Sequence, residues 1–174
     1  MTGRCFARPA AVLSLAGLLA LGCSRAPVTD ASPWVAEAER RHALADQRLE
    51  AGDPTGARDA LRAIVDARVP ADLPADDRRG VLQDTYFRLA RLDLDARDPR
   101  AALADADRGL ALGRASDLFV ANLLVVRGAA HEALGAGPAA MEDYHQALVI
   151  NDRLLAETLG EPADGASSGP GARP

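Results

Sequence analysis

Residues 124–147 read LVVRGAAHEALGAGPAAMEDYHQA, and the fold of the chain turns on their spacing. Gly128 is followed twelve residues later by Ala140, and Ala140 by Tyr144 and Ala147 at the fourth and seventh places beyond it. The pattern occurs twice upstream. Ala45 precedes Ala57, with Leu61 and Ile64 beyond, and Ala90 precedes Ala102, with Ala106 and Gly109 beyond. Small residues at one fixed distance let two antiparallel helices cross at a close point. Three copies predict three helical hairpins, and a hairpin cannot bury both its apolar faces alone, so the three must stack.

The punctuation between these segments agrees. Ser32 before Pro33 and Trp34 predicts a helix start, with Pro at the first helical position, and the helix runs to Ala51. Gly52 permits a left-handed exit, Asp53 caps and Pro54 starts a second helix that ends near Arg68. Val69 to Asp76 carries Pro70 and Pro74, which forbid a helix, so it reads as a loop. A third helix is expected from Asp77 to Ala96. Asp98-Pro99 repeats the Asp53-Pro54 device and opens a fourth, to Gly113. Asp117 caps a fifth, to Gly135, and Gly137-Pro138 opens a sixth, to Leu159. No segment sustains the alternation of a strand, so the fold is expected to be all-α. Residues 161–174 are rich in Gly, Pro, Ala and Ser and are expected to be disordered.

The start of the chain has a different character. Arg4 and Arg8 precede an uncharged apolar run from Ala10 to Leu21, short for a membrane span and ending in small residues like a secretory leader. Ala20-Leu21-Gly22-Cys23 resembles the bacterial lipobox, in which the Cys thiol is acylated and becomes the mature N-terminus. Leu and Ala usually stand in the reverse order, while Gly22 before Cys23 matches. The reading is a leader over 1–22, a lipid on Cys23 and a flexible tether over 23–32. Acyl chains contribute about 0.8 kcal/mol per buried CH₂, so more than one anchors firmly.

Without residues 1–22 no cysteine follows Cys23, which excludes a disulfide framework or a cysteine metal site. Loss of Arg4 and Arg8 takes the formal charge from −5 to −7. The chain has no Lys, and its Arg residues are dispersed. An acidic domain of this kind has no electrostatic reason to seek nucleic acid.

Leu124, Arg127, Gly128 and His131, with Ala140, Tyr144 and Ala147, resemble the tetratricopeptide repeat pattern. Arg127 and His131 stand where that family has apolar residues. Tyr86, Leu89, Ala90, Ala102 and Gly109 give a second match, with Asp93 departing, and Arg41, Leu44, Ala45, Ala57, Leu61 and Ile64 a third. The Ala-to-Ala periods are 45 and 38, against about 34 in the family. The loop at 69–76 explains the first excess, and longer helices the second. The resemblance implies a short α-solenoid over 33–160; many such arrays close with an extra helix, and no seventh helix is expected from this sequence.

Candidates for chemistry are few. His42, His131 and His145 fall on three helices, and no third ligand stands at metal spacing, so neither a catalytic nor a metal site is expected. Asp105 to Gly109 fails as a calcium loop, since its Gly comes one place early and no Glu follows. Asp93, Asp95 and Asp98 read as a solvated charged face offset by Arg91 and Arg97, the alternative being an acidic contact patch for a basic partner. The resemblance implies instead a concave face lined by the first helix of each hairpin. It would carry the partner-binding residues Glu39, His42, Asp46, Phe87, Arg91, Asn122, Val125 and Ala129. The Lys, Asn and Arg clamp by which some relatives hold a C-terminal carboxylate is incomplete, with only Arg91 and Asn122 present.

The expected function is that of a lipid-anchored interaction module of the bacterial cell envelope, without cofactor, small-molecule substrate or enzymatic activity. Its partners are envelope proteins, and its membrane contact is the lipid. It is an adaptor or assembly factor, at its most specific resembling the pilotins of secretin and pilus assembly. Ser24 after Cys23 matches lipoproteins of the outer membrane facing the periplasm. The alternative is a regulatory or inhibitory subunit of an envelope enzyme.

Overall fold

The computed structural model describes residues 32–113 and 115–160. The expected leader, Cys23, the tether before Ser32 and the tail over 161–174 lie outside the described residues. Those described form six helices and no strand: α1 (Pro33–Glu50), α2 (Pro54–Val65), α3 (Ala75–Asp95), α4 (Pro99–Ala111), α5 (Leu118–Ala133) and α6 (Gly137–Leu159).

Three of the five connections are one turn used three times. After α1, Asp53 N–H donates to the Arg48 carbonyl and Gly52 N–H to that of Leu49. After α3, Asp98 donates to Asp93 and Arg97 to Leu94; after α5, Ala136 donates to His131 and Gly135 to Glu132. This is the paired closure that satisfies the last carbonyls of a helix around a left-handed residue. Gly52 and Gly135 take φ of +74° and +78° there, and Arg97 takes +59° despite its side chain. The next helix then starts at once. Asp53 accepts from Gly56 N–H at 2.8 Å and Asp98 from Ala101 N–H at 3.0 Å, each followed by Pro at the first helical position. Asp117 caps α5 in the same way through Val120 N–H. Ser32 and Ala136 precede their helices without a side-chain cap bond.

The helix ends depart from the sequence reading at four places. α2 stops at Val65, three residues before Arg68, with Asp66 as its cap. α3 starts at Ala75 rather than Asp77, because the cap position tolerates Pro74 and the first turn welcomes Asp76 and Asp77 beside its free N–H groups. α4 and α5 end at Ala111 and Ala133, since Gly113 and Gly135 have the positive φ of residues beyond a helix. In the α2–α3 loop Leu73 turns inward and is buried.

Each helix packs on the next, and α3 also packs on α1 and α5. Among the described residues the backbones of α2, α4 and α6 do not meet, so the odd-numbered helices form the continuous layer. The interior is built from small side chains, in keeping with an aromatic content of 3%. Ala45, Ala57, Leu61, Ile64 and Leu89 pack at the α1–α2–α3 end, and Ala90, Ala102, Ala106, Val126 and Ala130 further along. Alanine at the contacts draws helix axes together, and the tightest places are glycines. A Cβ on Gly109 would lie 2.7 Å from a Leu123 methyl, and one on Gly128 would lie 2.7 Å from the Tyr144 ring. Gly128 thus lies under Tyr144, one turn beyond Ala140 on α6.

Gln83, fully buried in α3, donates to the carbonyls of Gly113 at 2.8 Å and Gly109 at 3.2 Å, so a neighbouring helix caps the end of α4.

Candidate interaction groove

The α1–α3 crossing leaves a groove of about 260 Å³. Ala45, Leu61 and Leu92 are its buried apolar lining, Leu49 stands exposed at its side, and Phe87 enters from α3. Phe87 is half-buried and packs against both inner clusters of α4 and α5. The exposed Arg91, one helical turn on, lies over the ring at 5.7 Å from its centroid, within the range of a cation–π contact. Arg91 makes no ion pair among the described residues.

A chain of polar contacts runs along the rim and ties α1 to α3. His42 Nε2 lies 2.9 Å from Thr85 Oγ1, and Thr85 O–H donates back to the Val81 carbonyl. His42 Nδ1 is 3.6 Å from Asp84. Arg88 Nε donates to Asp84 and Arg88 Nη1 to Asp46, both at 2.9 Å. Burial pushes the His42 pKa below its ordinary value, with the Arg88 charge acting the same way against Asp84, Asp46 and Glu39. His42 is therefore a neutral cross-helix hydrogen-bonding group.

Of the eight residues expected on a concave face, the structure brings Asp46, Phe87 and Arg91 together in this groove. His42 belongs to its polar edge but is spent on α1–α3 packing. Glu39 is exposed one turn before it. Asn122, Val125 and Ala129 share one side of α5 and do not line the groove; Val125 is 44% exposed. Asp84 and Arg88 were missing from the expected set. Their signal was the four-residue spacing of opposite charges beside Phe87 on one helix.

Of the acidic cluster at the end of α3, Asp95 and Asp98 are exposed as expected, and Asp93 is not. Asp93 is buried, and its partner is Arg58 of α2 rather than Arg91 or Arg97. Burial raises the Asp93 pKa, and the Arg58 hydrogen bond opposes that shift. Two further interior carboxylates follow the same plan. Asp105 of α4 receives Arg62 at 2.6 Å and Arg108 at 2.7 Å. Asp143 of α6 receives Arg127 Nε at 2.9 Å, and Arg127 also reaches Asp107 at 3.1 Å. The Asp143 bond raises the Arg127 pKa. His131 adds a contact to Asp143 at 3.8 Å. Arg127 and His131, apolar positions in the repeat pattern, are thus an ion-pair donor and its neighbour.

No protein-family model matches this chain, and no curated protein matches it.

A second cavity, of about 410 Å³, lies among α4, α5 and α6, with Leu110, Val120, Leu124 and Ile150 as its inner wall and His145 and Val149 at its mouth. It is larger than the α1–α3 groove but contains none of the eight expected residues. The α1–α3 groove is the stronger candidate, because it joins an apolar floor to an aromatic and an unpaired Arg, the side chains that carry most energy at interfaces. Among the described residues no three His, Cys, Asp or Glu side chains are grouped to hold a metal, and no helix is long and apolar enough to cross a membrane.

Proposed function

We propose that the chain is a non-enzymatic, lipid-anchored interaction module of the bacterial cell envelope, with its helices arranged as a short tetratricopeptide-like stack. Three tight-turn helix pairs, close glycine contacts and a continuous layer of odd-numbered helices support the stack. Gly22-Cys23 after an apolar run supports the anchor, and Ser24 after it supports a place on the outer membrane facing the periplasm. An adaptor or assembly factor, pilotin-like at its most specific, fits these features.

The observation that carries the binding role is the α1–α3 groove. Its volume is small beside the roughly 300–1,000 Å³ of small-molecule sites, and suits an inserted side chain of a protein partner. The occupant would press an apolar side chain against Phe87 and Leu92 and offer a carboxylate to Arg91. Crosslinking in cells, followed by identification of captured proteins, tests this with Arg91→Glu and Cys23→Ala. Arg91→Glu should fold normally and lose the captured partner. Cys23→Ala should take no palmitate analogue and leave the membrane fraction. Unchanged capture by Arg91→Glu refutes the groove, and an unlabelled wild type with a membrane-bound Cys23→Ala refutes the anchor.

A further inference from the structure

Among the described residues α6 is packed by α5 on one side only. Met141, Leu148, Leu155 and Leu159 are 69%, 56%, 57% and 64% exposed. With His145 and Asp152, also exposed, they fall at steps of four and three residues along the helix. Such steps hold one face of a helix, here opposite the face that buries Ala140, Asp143 and Ala147. The stripe runs about 27 Å at 1.5 Å per residue. Isolated exposed apolar side chains need no explanation, but four on one face of one helix do.

Three observations bear on what covers it. The tail at 161–174 contains no apolar side chain larger than Pro, so it offers nothing to fill the stripe. His145 and Asp152 make no hydrogen bond or ion pair among the described residues, although each stands within the apolar line. The stripe is also close to its own complement when reversed about Leu148. Met141 and Leu155 lie seven residues to either side, and His145 and Asp152 lie three and four residues away.

We propose that the stripe is covered by a second copy of this chain, the two α6 helices crossing antiparallel about a two-fold axis beside Leu148. Leu148 then meets its counterpart, each Met141 meets the other copy's Leu155, and each His145 imidazole donates an N–H to the other copy's Asp152 carboxylate. The contact is isologous, as two-fold dimers require. It leaves the α1–α3 groove open on both copies and stands or falls independently of the proposed function. A single helix-on-helix contact is small for a protein interface, so the dimer is weak and depends on concentration.

The test uses the full chain carrying Cys5→Ser and Cys23→Ser, so that no native thiol remains. Analytical ultracentrifugation should give twice the chain mass at high concentration, falling on dilution. Leu148→Arg, at an exposed position, should halve that mass and leave the circular dichroism melt unchanged. Under mild oxidation Leu148→Cys should form a disulfide-linked dimer, as should Met141→Cys mixed with Leu155→Cys. Leu134→Cys, exposed at the end of α5, should remain a monomer. A monomeric mass at every concentration, a dimer indifferent to Leu148→Arg, or equal cross-linking from Leu134→Cys overturns the proposal.

Discussion

Replacing Gly128 by Ala adds one methyl at the closest contact between α5 and α6. That carbon would lie 2.7 Å from Tyr144 Cε1, 2.8 Å from Cδ1 and 3.1 Å from Cζ. Carbon atoms prefer about 3.5–4.0 Å, so the ring or the helices must give way by roughly 1 Å. The ring has little freedom, because its hydroxyl donates to Glu132 on α5 at 3.0 Å. Overpacking of this kind costs about 1–3 kcal/mol. Removing a glycine from a helix interior returns about 0.5–1 kcal/mol, and the net loss is centred on about 1 kcal/mol and reaches about 2.5 kcal/mol. Gly80 in α3 supplies the opposite case. A Cβ there would meet only the half-exposed Phe119 ring at 3.3 Å, so Gly80→Ala should gain about 0.5 kcal/mol from the helix term. Urea unfolding followed by circular dichroism measures both, and Gly128→Ala combined with Tyr144→Val should recover part of the loss. Gly128→Ala as stable as wild type, or no coupling to residue 144, would show that the contact does not limit the approach of α5 and α6.

Three further outcomes are expected. Arg97 holds the left-handed position that Gly52 and Gly135 fill in the equivalent turns, and Arg97→Gly should raise stability by about 0.5–1 kcal/mol; a lower urea midpoint would contradict the strain. The lowered His42 pKa makes the folded state favour the neutral ring. As pH falls below 6.5, unfolded chains take the proton first, so stability drops until the folded value is passed. The wild-type melting profile should show this acid-side loss and His42→Gln should lack it, so parallel profiles would refute the assignment. Phe87→Ala removes a half-buried ring shared by two clusters, so it should cost about 2–3 kcal/mol, less than a fully buried Phe. A melt unchanged from wild type would place the ring wholly in the groove.

What the sequence disclosed follows the range of each interaction. Asp53, Asp98 and Asp117 were legible as caps because the group each satisfies is three residues away. Phe87 and Arg91 were legible as neighbours because one turn of helix separates them. The Arg58–Asp93 pair joins residues 35 apart, and its partners depend on how the second helix pair docks on the first. In sequence Asp93 had the look of a solvated charge. A clue existed in the Asp standing three residues after both Ala102 and Ala140, a place that turns inward on a helix. The side of α5 that carries Asn122, Val125 and Ala129 depended on the same docking, so their separation from the groove could not be read locally.

The Arg–Asp pairs bear on how such a chain can change in evolution. A stack whose units touch only through interchangeable apolar faces can lengthen by copying a unit or shorten by losing one. Here Asp93 and Asp105 of the second helix pair depend on Arg58 and Arg62 of the first, while Asp107 is held by Arg127 of the third. Each link is unique in position and direction. Deleting the first pair strands the buried Asp93 carboxylate and leaves Asp105 only Arg108 of its own helix; breaking one buried ion pair alone costs about 3–5 kcal/mol. The order of the three helix pairs is therefore favoured by polar contacts that differ at each junction, and the loss of the first pair would cost most at Asp93.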